Sequence, residues 1–130
     1  MSSAGPRPAL LDHLFVTVRD VPATRHFYVD LLGLEVLLES PHGTYLRVGG
    51  GEGFTIGFEA DRMLPDELDE GIEIAIRVDD VDATWSRLLD AGVPLGDPPA
   101  DQEWGDRHAW LRDPSGHRLS IFSPSRRGMP

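Results

Sequence analysis

His13 stands at the start of an alternating apolar segment, LLDHLFVTVRDV at residues 10–21. An imidazole can ligate a divalent metal, or it can exchange hydrogen bonds with a ligand or with a neighbouring side chain. Glu73 occupies a similar place in GIEIAIRVDDVD at residues 71–82. Three roles are open to these residues: metal ligation, acid–base catalysis by a His13–Glu73 pair, or lining of a pocket.

The composition limits the classes of function. A chain of 130 residues fits one domain, or two very small ones that share a core. The absence of cysteine excludes disulfides, thiolate metal sites and cysteine nucleophiles. The net charge is −10 and every basic residue is arginine. This acidic balance disfavours nucleic acid and anionic membranes as partners, and it would attract a cationic ligand.

The apolar residues are not arranged for a membrane. No apolar run approaches the roughly 20 residues that a membrane-spanning helix needs. The first residues, MSSAGPRPAL, are polar and contain no signal-peptide core. We therefore expect a cytoplasmic protein with no membrane partner.

The chain repeats itself at an offset of 60 residues. VTVRDVPAT at residues 16–24 aligns with IRVDDVDAT at residues 76–84, and the apolar positions and the helix-start signal coincide in both copies. Such self-similarity indicates a duplicated structural unit.

Each copy predicts a strand followed by a helix. Leu14, Val16 and Val18 alternate with other residue types, which predicts a strand with one aliphatic face. Asp20 can cap the helix that follows, and Gly33 can end it. The residues expected to pack the two helices on their sheets are Phe27, Tyr28 and Leu31 in the first unit and Trp85, Leu88 and Leu89 in the second.

Further strands complete each unit, so that the order is β-α-β-β-β, twice. We predict an α+β fold in which two tandem βαβββ modules form an open, cup-like mixed sheet around a cleft, with the helices on the outer face. The expected divisions are an N-terminal tail (1–9), the first module (10–60), a charged connector (61–70), the second module (71–123) and a C-terminal tail (124–130).

Two motifs carry a resemblance to a known family. They are HFYVDLLGL at residues 26–34 and WGDRHAWLRDPSGHRLSIF at residues 104–122. Over about residues 10–123 the chain resembles the vicinal oxygen chelate superfamily, which includes glyoxalases, extradiol dioxygenases and bleomycin-resistance proteins. The resemblance implies the cup-shaped fold but does not select one chemistry, because this fold hosts many activities.

The metal-dependent members of that superfamily hold a divalent ion at the start and on the last strand of each module. His13 and Glu73 match the two positions at the module starts. The other two positions fall on Gly57 and Ser120, which are poor ligands for such an ion. We therefore expect no metal cofactor. If Mn, Fe, Ni or Zn binds instead, its ligands would be His13, Glu73 and Glu59, after a two-residue slip of one strand.

The strand alternation also gives the face that each sheet turns away from its helix. This surface is aromatic with a few charges, which suits a flat ligand held by stacking. Packing in a core or at a dimer interface is the alternative role for Trp110 and Phe122. The predicted ligand-binding residues are His13, Phe15, Tyr45, Arg47, Glu73, Trp104, His108, Trp110, Ser120 and Phe122.

Because two of the four metal-ligand positions lack a suitable side chain, the sequence most resembles the bleomycin-resistance branch of the superfamily. The predicted function is sequestration of an aromatic ligand, cationic in view of the net charge, such as an antibiotic, by a homodimer without catalytic residues. The alternatives are a metal-dependent lyase, isomerase or dioxygenase that uses His13 and Glu73, and a metal-free enzyme that uses the same pair. The sequence leaves open whether the modules pair within one chain or between chains.

Overall fold

The computed structural model describes residues 7–51, 53–61, 63–68 and 70–125, and it confirms an α+β fold of two βαβββ modules. The first module contains β1 (His13–Val18), α1 (Val21–Arg25), a π-helical segment (His26–Leu31), β2 (Glu35–Glu39), β3 (Tyr45–Gly49) and β4 (Thr55–Ala60). The second contains β5 (Ile74–Arg77), α2 (Val81–Asp90), β6 (Ala100–Asp101), β7 (Asp106–Arg112) and β8 (Arg118–Pro124).

The chain ends differ slightly from the predicted divisions. Strand β8 runs to Pro124 and Ser125 is buried, so ordered structure extends past the predicted end of the second module. Residues 1–6 and 126–130 of the predicted tails lie outside the described residues. Within the described part of the chain, no helix has the length and apolar character needed to span a membrane.

Each module forms its own four-stranded mixed sheet. The strand orders are β1-β4-β3-β2 and β5-β8-β7-β6, and the first and last strands of each module run parallel. The register places Arg47 opposite Gly57 in the first sheet and Trp110 opposite Ser120 in the second. Because side chains alternate along a strand, one face of each sheet packs against the helices and the other is open.

The duplicated sequence corresponds to a duplicated helix start. Asp20 and Asp80 each precede a helix and accept a hydrogen bond from the backbone N–H three residues later, at 3.0 and 3.1 Å. The threonine four residues after each aspartate donates its hydroxyl to the aspartate carbonyl. The repeated pattern therefore encodes the same N-cap twice.

The first helix departs from the predicted regular form. After α1 the chain continues as a π-helical segment, and the consecutive residues Phe27 and Tyr28 are both buried. Their rings meet edge to face at 5.0 Å, and Tyr28 also packs on Phe58 at 4.6 Å. In α2, Trp85 is buried as predicted, but the prediction for Leu89 was wrong because its side chain is 53% exposed.

The modules are joined by the turn between β7 and β8. The hydroxyl of Tyr28 donates to Asp113 Oδ2 at 2.8 Å, and both residues are buried. Asp113 Oδ1 accepts the backbone N–H groups of Ser115 and His117, each at 2.9 Å. His117 Nε2 in turn donates to the carbonyl of Thr17 at 2.7 Å. The turn therefore connects the second sheet to both the helical segment and the first strand of the first module.

We expect the stability of the protein to fall steeply above about pH 10 because of Tyr28. Burial, and then the charge and hydrogen bond of Asp113, raise the pKa of Tyr28 well above its usual value. The folded state thus keeps a phenolic proton that the unfolded chain releases. Each pH unit between the two pKa values lowers the free energy of unfolding by about 1.4 kcal/mol. Urea denaturation from about pH 9 to about pH 11 measures this slope.

Tyr28→Phe should flatten that dependence, because the variant has no proton to lose at this site. At neutral pH it should also lower the free energy of unfolding by about 1–3 kcal/mol, since Asp113 loses a donor. Tyr45→Phe is the matched control and should keep the wild-type slope. An unchanged slope in Tyr28→Phe would show that another group governs alkaline unfolding.

Candidate functional site

A chain of hydrogen bonds crosses the open face of the first sheet. His13 Nδ1 lies 2.7 Å from Asp12 Oδ2, and His13 Nε2 lies 3.1 Å from Arg47 Nη2. Arg47 Nε donates to the hydroxyl oxygen of Tyr45 at 3.1 Å. We call Asp12, His13, Tyr45 and Arg47 the Arg47 group.

The donor inventory fixes the protonation of His13 in this arrangement. A guanidinium has only donors, so His13 Nε2 must be the acceptor of the bond from Arg47. The proton of the neutral imidazole is then on Nδ1, which donates to Asp12. This hydrogen bond is also the main cause of a lowered pKa of the Asp12 carboxyl.

Glycine at position 57 lets Tyr45 lie against the sheet. A β-carbon added to Gly57 would come within 2.5 Å of the Tyr45 hydroxyl oxygen, so the phenol occupies the space of a side chain there. The ring of Phe15 lies 6.0 Å from the Tyr45 ring, and Phe15 is 51% exposed. The Arg47 group is therefore bordered by an exposed aromatic surface.

The open face of the second sheet carries a cluster of rings. The imidazole of His108 stacks on Trp110 at 4.5 Å and on Phe122 at 5.3 Å, with interplanar angles of 26° and 10°. Trp104 meets the same imidazole edge to face at 6.0 Å. We call these four residues the aromatic cluster.

Two polar atoms beside these rings lack partners. His108 Nδ1 bonds to Asp106 Oδ1 at 3.0 Å, which leaves Nε2 as an acceptor in the neutral imidazole. Among the described residues, the buried side-chain nitrogen and oxygen atoms without a hydrogen-bond partner are His108 Nε2 and Ser120 Oγ. Unpaired buried polar atoms are uncommon in proteins and call for an explanation.

The Arg47 group and the aromatic cluster are separate within the chain. No hydrogen bond, ion pair or ring contact among the described residues joins one to the other. Glu73 bonds to Arg118 at 3.1 Å, whereas His13 bonds to Asp12 and Arg47. The expected His13–Glu73 pair was therefore wrong, because each residue has a partner in its own module or in the segment next to it.

An apolar recess lies between the modules, and it does not unite the predicted ligand residues. Its volume is about 270 Å³. Phe15 and Arg118 lie on its border, but neither His13 nor the aromatic cluster lines it. Its apolar lining residues include Leu14, Val16, Leu64, Leu68, Ile72 and Ile74.

The donor set does not fit a divalent metal. Arg47 holds the ring nitrogen of His13 that a metal would need, and Arg118 engages Glu73. Glu59 lies four residues beyond the partner of His13 along β4, a distance of about 13 Å. Across the described ranges, no three His, Asp or Glu residues converge on one point. We derive no chemistry through a metal for these reasons.

The sequence reasoning missed two carboxylates that position the histidines. Asp12 and Asp106 each bond to the Nδ1 atom of a histidine one or two residues later. The spacings are visible as DH at residues 12–13 and DRH at residues 106–108. An acid next to a histidine on an open sheet face is the signal that would have found them.

We expect metal-stripped protein to show no saturable heat when titrated with Mn²⁺, Fe²⁺, Ni²⁺ or Zn²⁺. The physical reason is that Arg47 competes for His13 Nε2 with a positive charge. Calorimetry of the wild type beside His13→Ala makes the comparison. Stoichiometric binding that His13→Ala abolishes would contradict this result and restore the metal-dependent alternative.

Comparisons with known proteins give the family. A family model of the Glyoxalase/Bleomycin resistance protein/Dioxygenase superfamily matches residues 10–121. An uncharacterized protein of Mycobacterium tuberculosis is 34% identical over 92% of this chain and 76% of its own. The structure of TnmS3, an antibiotic binding protein from Streptomyces sp. CB03234, is 29% identical, with a TM-score of 0.73 over 93% of this chain and all of that one. A glyoxalase/dioxygenase from Nostoc punctiforme, 19% identical, covers 95% of this chain and all of its own with a TM-score of 0.77 and shares the fold. The chain belongs to the Glyoxalase/Bleomycin resistance protein/Dioxygenase superfamily.

Proposed function

We propose that the protein binds an aromatic small molecule at the aromatic cluster on the open face of the second sheet. The observation that carries this proposal is the exposure of two indoles on a preformed stack. Trp104 is 60% exposed and Trp110 is 41% exposed. Trp110 lies on the face of the sheet and Trp104 in the turn before β7. Large aromatic side chains left in water side by side are typical of a surface that another apolar group covers.

The stack is organised before a ligand arrives. His108 lies between Trp110 and Phe122, and Asp106 fixes the plane of the imidazole through Nδ1. Holding the rings in one orientation lowers the entropy cost of binding a flat molecule against them. Offset stacking adds about 0.5–1.5 kcal/mol for each aromatic pair beyond the burial of area.

The unpartnered polar atoms supply hydrogen-bonding points beside the rings. His108 Nε2 is an acceptor in the neutral form, and Ser120 Oγ both donates and accepts. Both atoms are closed to solvent, so a ligand hydroxyl or amine would reach them only if the rings moved aside, and it would then satisfy groups that are costly to leave unpaired. Such a site would combine stacking with a small number of polar contacts.

The similarity to TnmS3 supports an antibiotic as the class of ligand, because that protein is an antibiotic binding protein. The net charge of −10 favours the approach of a cationic molecule through the long-range field. We propose binding without catalysis and without a cofactor. Two of the four metal-ligand positions of the family hold Gly57 and Ser120, and the other two, His13 and Glu73, are engaged by arginines.

We also propose that two chains associate. The modules of one chain meet through the β7–β8 turn and the helical segment, so both open faces are left uncovered in a single chain. Phe15 and Trp110 are half-exposed on these faces. A second copy that turned its second sheet toward the first sheet of its partner would bury both rings.

Replacing Trp110 by alanine should weaken binding of a planar aromatic probe about tenfold or more, because one stacking surface is lost. Ethidium is a planar aromatic cation suited to this test, and bleomycin is the drug that gives the family part of its name. Isothermal titration calorimetry measures both. Leu89→Ala removes an exposed apolar side chain from α2 and should leave the affinity unchanged. Equal binding by wild type and Trp110→Ala, or no binding of either probe, would contradict the proposal.

The association of two chains predicts a solution mass of twice the 14.3 kDa of the chain. Sedimentation equilibrium over a dilution series measures it directly. A single species at the mass of one chain over the whole series would exclude the dimer. That result would leave ligand binding at the aromatic cluster to be judged by calorimetry alone.

A further inference from the structure

Arg47 carries a positive charge that no carboxylate contacts. The guanidinium donates to the hydroxyl oxygen of Tyr45 and to His13 Nε2, which are both neutral acceptors. Every ion pair recorded for the described residues involves a different arginine or a histidine. Arg47 is nevertheless only partly exposed to solvent. A partly buried charge that no carboxylate contacts directly is costly, so this arrangement favours an external anion.

The N–H and O–H groups around Arg47 that have no acceptor are available as hydrogen-bond donors to a ligand. Arginine has five N–H groups, and the bonds to Tyr45 and His13 use two of them. Because Tyr45 accepts from Arg47, its own hydroxyl proton is free to donate outward. A guanidinium fork beside a phenolic hydroxyl matches the two oxygens of a carboxylate.

The same side chains are held in place and bordered by rings. Arg47 is fixed at two points, and the Tyr45 phenol rests on the backbone at Gly57. The exposed ring of Phe15 lies 6.0 Å from Tyr45, which provides an apolar surface next to the cation. A flat aromatic group that bore a carboxylate would contact both.

We infer that the Arg47 group is a binding site for the carboxylate of an aromatic acid. This site goes beyond the proposed function, because within one chain it lies on the first sheet, apart from the aromatic cluster, although the proposed dimer would bring the second sheet of the partner opposite it. It also opposes the net charge of −10. At about 0.15 M salt the screening length is about 8 Å, so the distant acids are largely screened while a contact with Arg47 is not.

Two acids lie near this surface, and neither makes an ion pair with Arg47. Asp12 is bonded to His13, and the attraction between its carboxylate and Arg47 is one of the smaller causes of the lowered pKa of Asp12. Glu59 lies on the same face, opposite Tyr45, and its side chain makes no ion pair with Arg47. The guanidinium therefore remains the charge that a ligand would meet first beside Tyr45.

The test compares 2-naphthoate with 2-naphthamide, which has similar shape but no charge, by calorimetry in about 0.15 M salt. The wild type should bind the carboxylate about tenfold more tightly than the amide, as expected for a charge-assisted hydrogen bond. Arg47→Gln should abolish this preference. Arg87→Gln is the matched control, because Arg87 is exposed on α2, away from both open faces, and its removal changes the net charge equally.

Folding of each variant is checked by circular dichroism. Arg47→Lys provides a second variant, which keeps the charge without the fork and should keep only part of the preference. The Nε–H resonance of Arg47 in an NMR spectrum of the wild type should shift on addition of 2-naphthoate. Equal binding of acid and amide, loss of the preference in Arg87→Gln, its retention in Arg47→Gln, or an unmoved Arg47 resonance would each overturn the assignment. Both probes are aromatic and can also stack on the aromatic cluster, so Trp110→Ala, which removes a ring of that cluster, should keep the preference for the carboxylate.

Discussion

The hydrogen bond from Tyr28 to Asp113 determines which surfaces of the protein are free. It is made between two buried side chains and ties the helical segment of the first module to the β7–β8 turn of the second. Asp113 also accepts two backbone N–H groups of its own turn, so its carboxylate is satisfied by three donors. Because the modules meet at this turn and at the helices, the opposite face of each sheet is left for ligands or for another chain.

This junction gives a structural role to a motif that the family resemblance alone left without one. Residues of the segment DPSGH at 113–117 form hydrogen bonds with the first module at several points. Ser115 accepts the backbone N–H of Arg19 at 3.0 Å. The motif therefore joins the two modules and does not indicate a particular chemistry.

The open faces show the same change twice. Where metal-dependent members of the family place a ligand, this chain has Gly57 in one module and Ser120 in the other. In both sheets a ring from the neighbouring strand lies beside the small residue, Tyr45 against Gly57 and Trp110 opposite Ser120. Glycine and serine offer a divalent cation no carboxylate oxygen, and the ring beside each of them adds an aromatic surface to the open face.

Local patterns predicted the parts of the fold that depend on neighbours in sequence. The strand faces follow from period-two alternation, and the helix starts at Asp20 and Asp80 follow from capping chemistry. The sequence did not predict the positions of strands β2 and β6, because β2 is mostly exposed and β6 has only two residues. The prediction of a His13–Glu73 pair was wrong because it required the open faces of the two modules to meet inside one chain. The actual partner of His13, Arg47, comes from a strand of the same sheet.

The net charge of the protein and the charges within a site affect ligand binding in different ways. The value of −10 describes a field that acts over distances comparable with the screening length, and it affects the rate of approach. Affinity depends on the groups in contact, and on the open faces these include Arg47 and Arg77, neither of which has a carboxylate partner among the described residues. A ligand with a net positive charge can therefore be attracted by the long-range field and still place an anionic group against the first sheet. The composition predicted only the first of these effects, because the second requires knowing that Tyr45 and His13, and not an acid, hold the guanidinium.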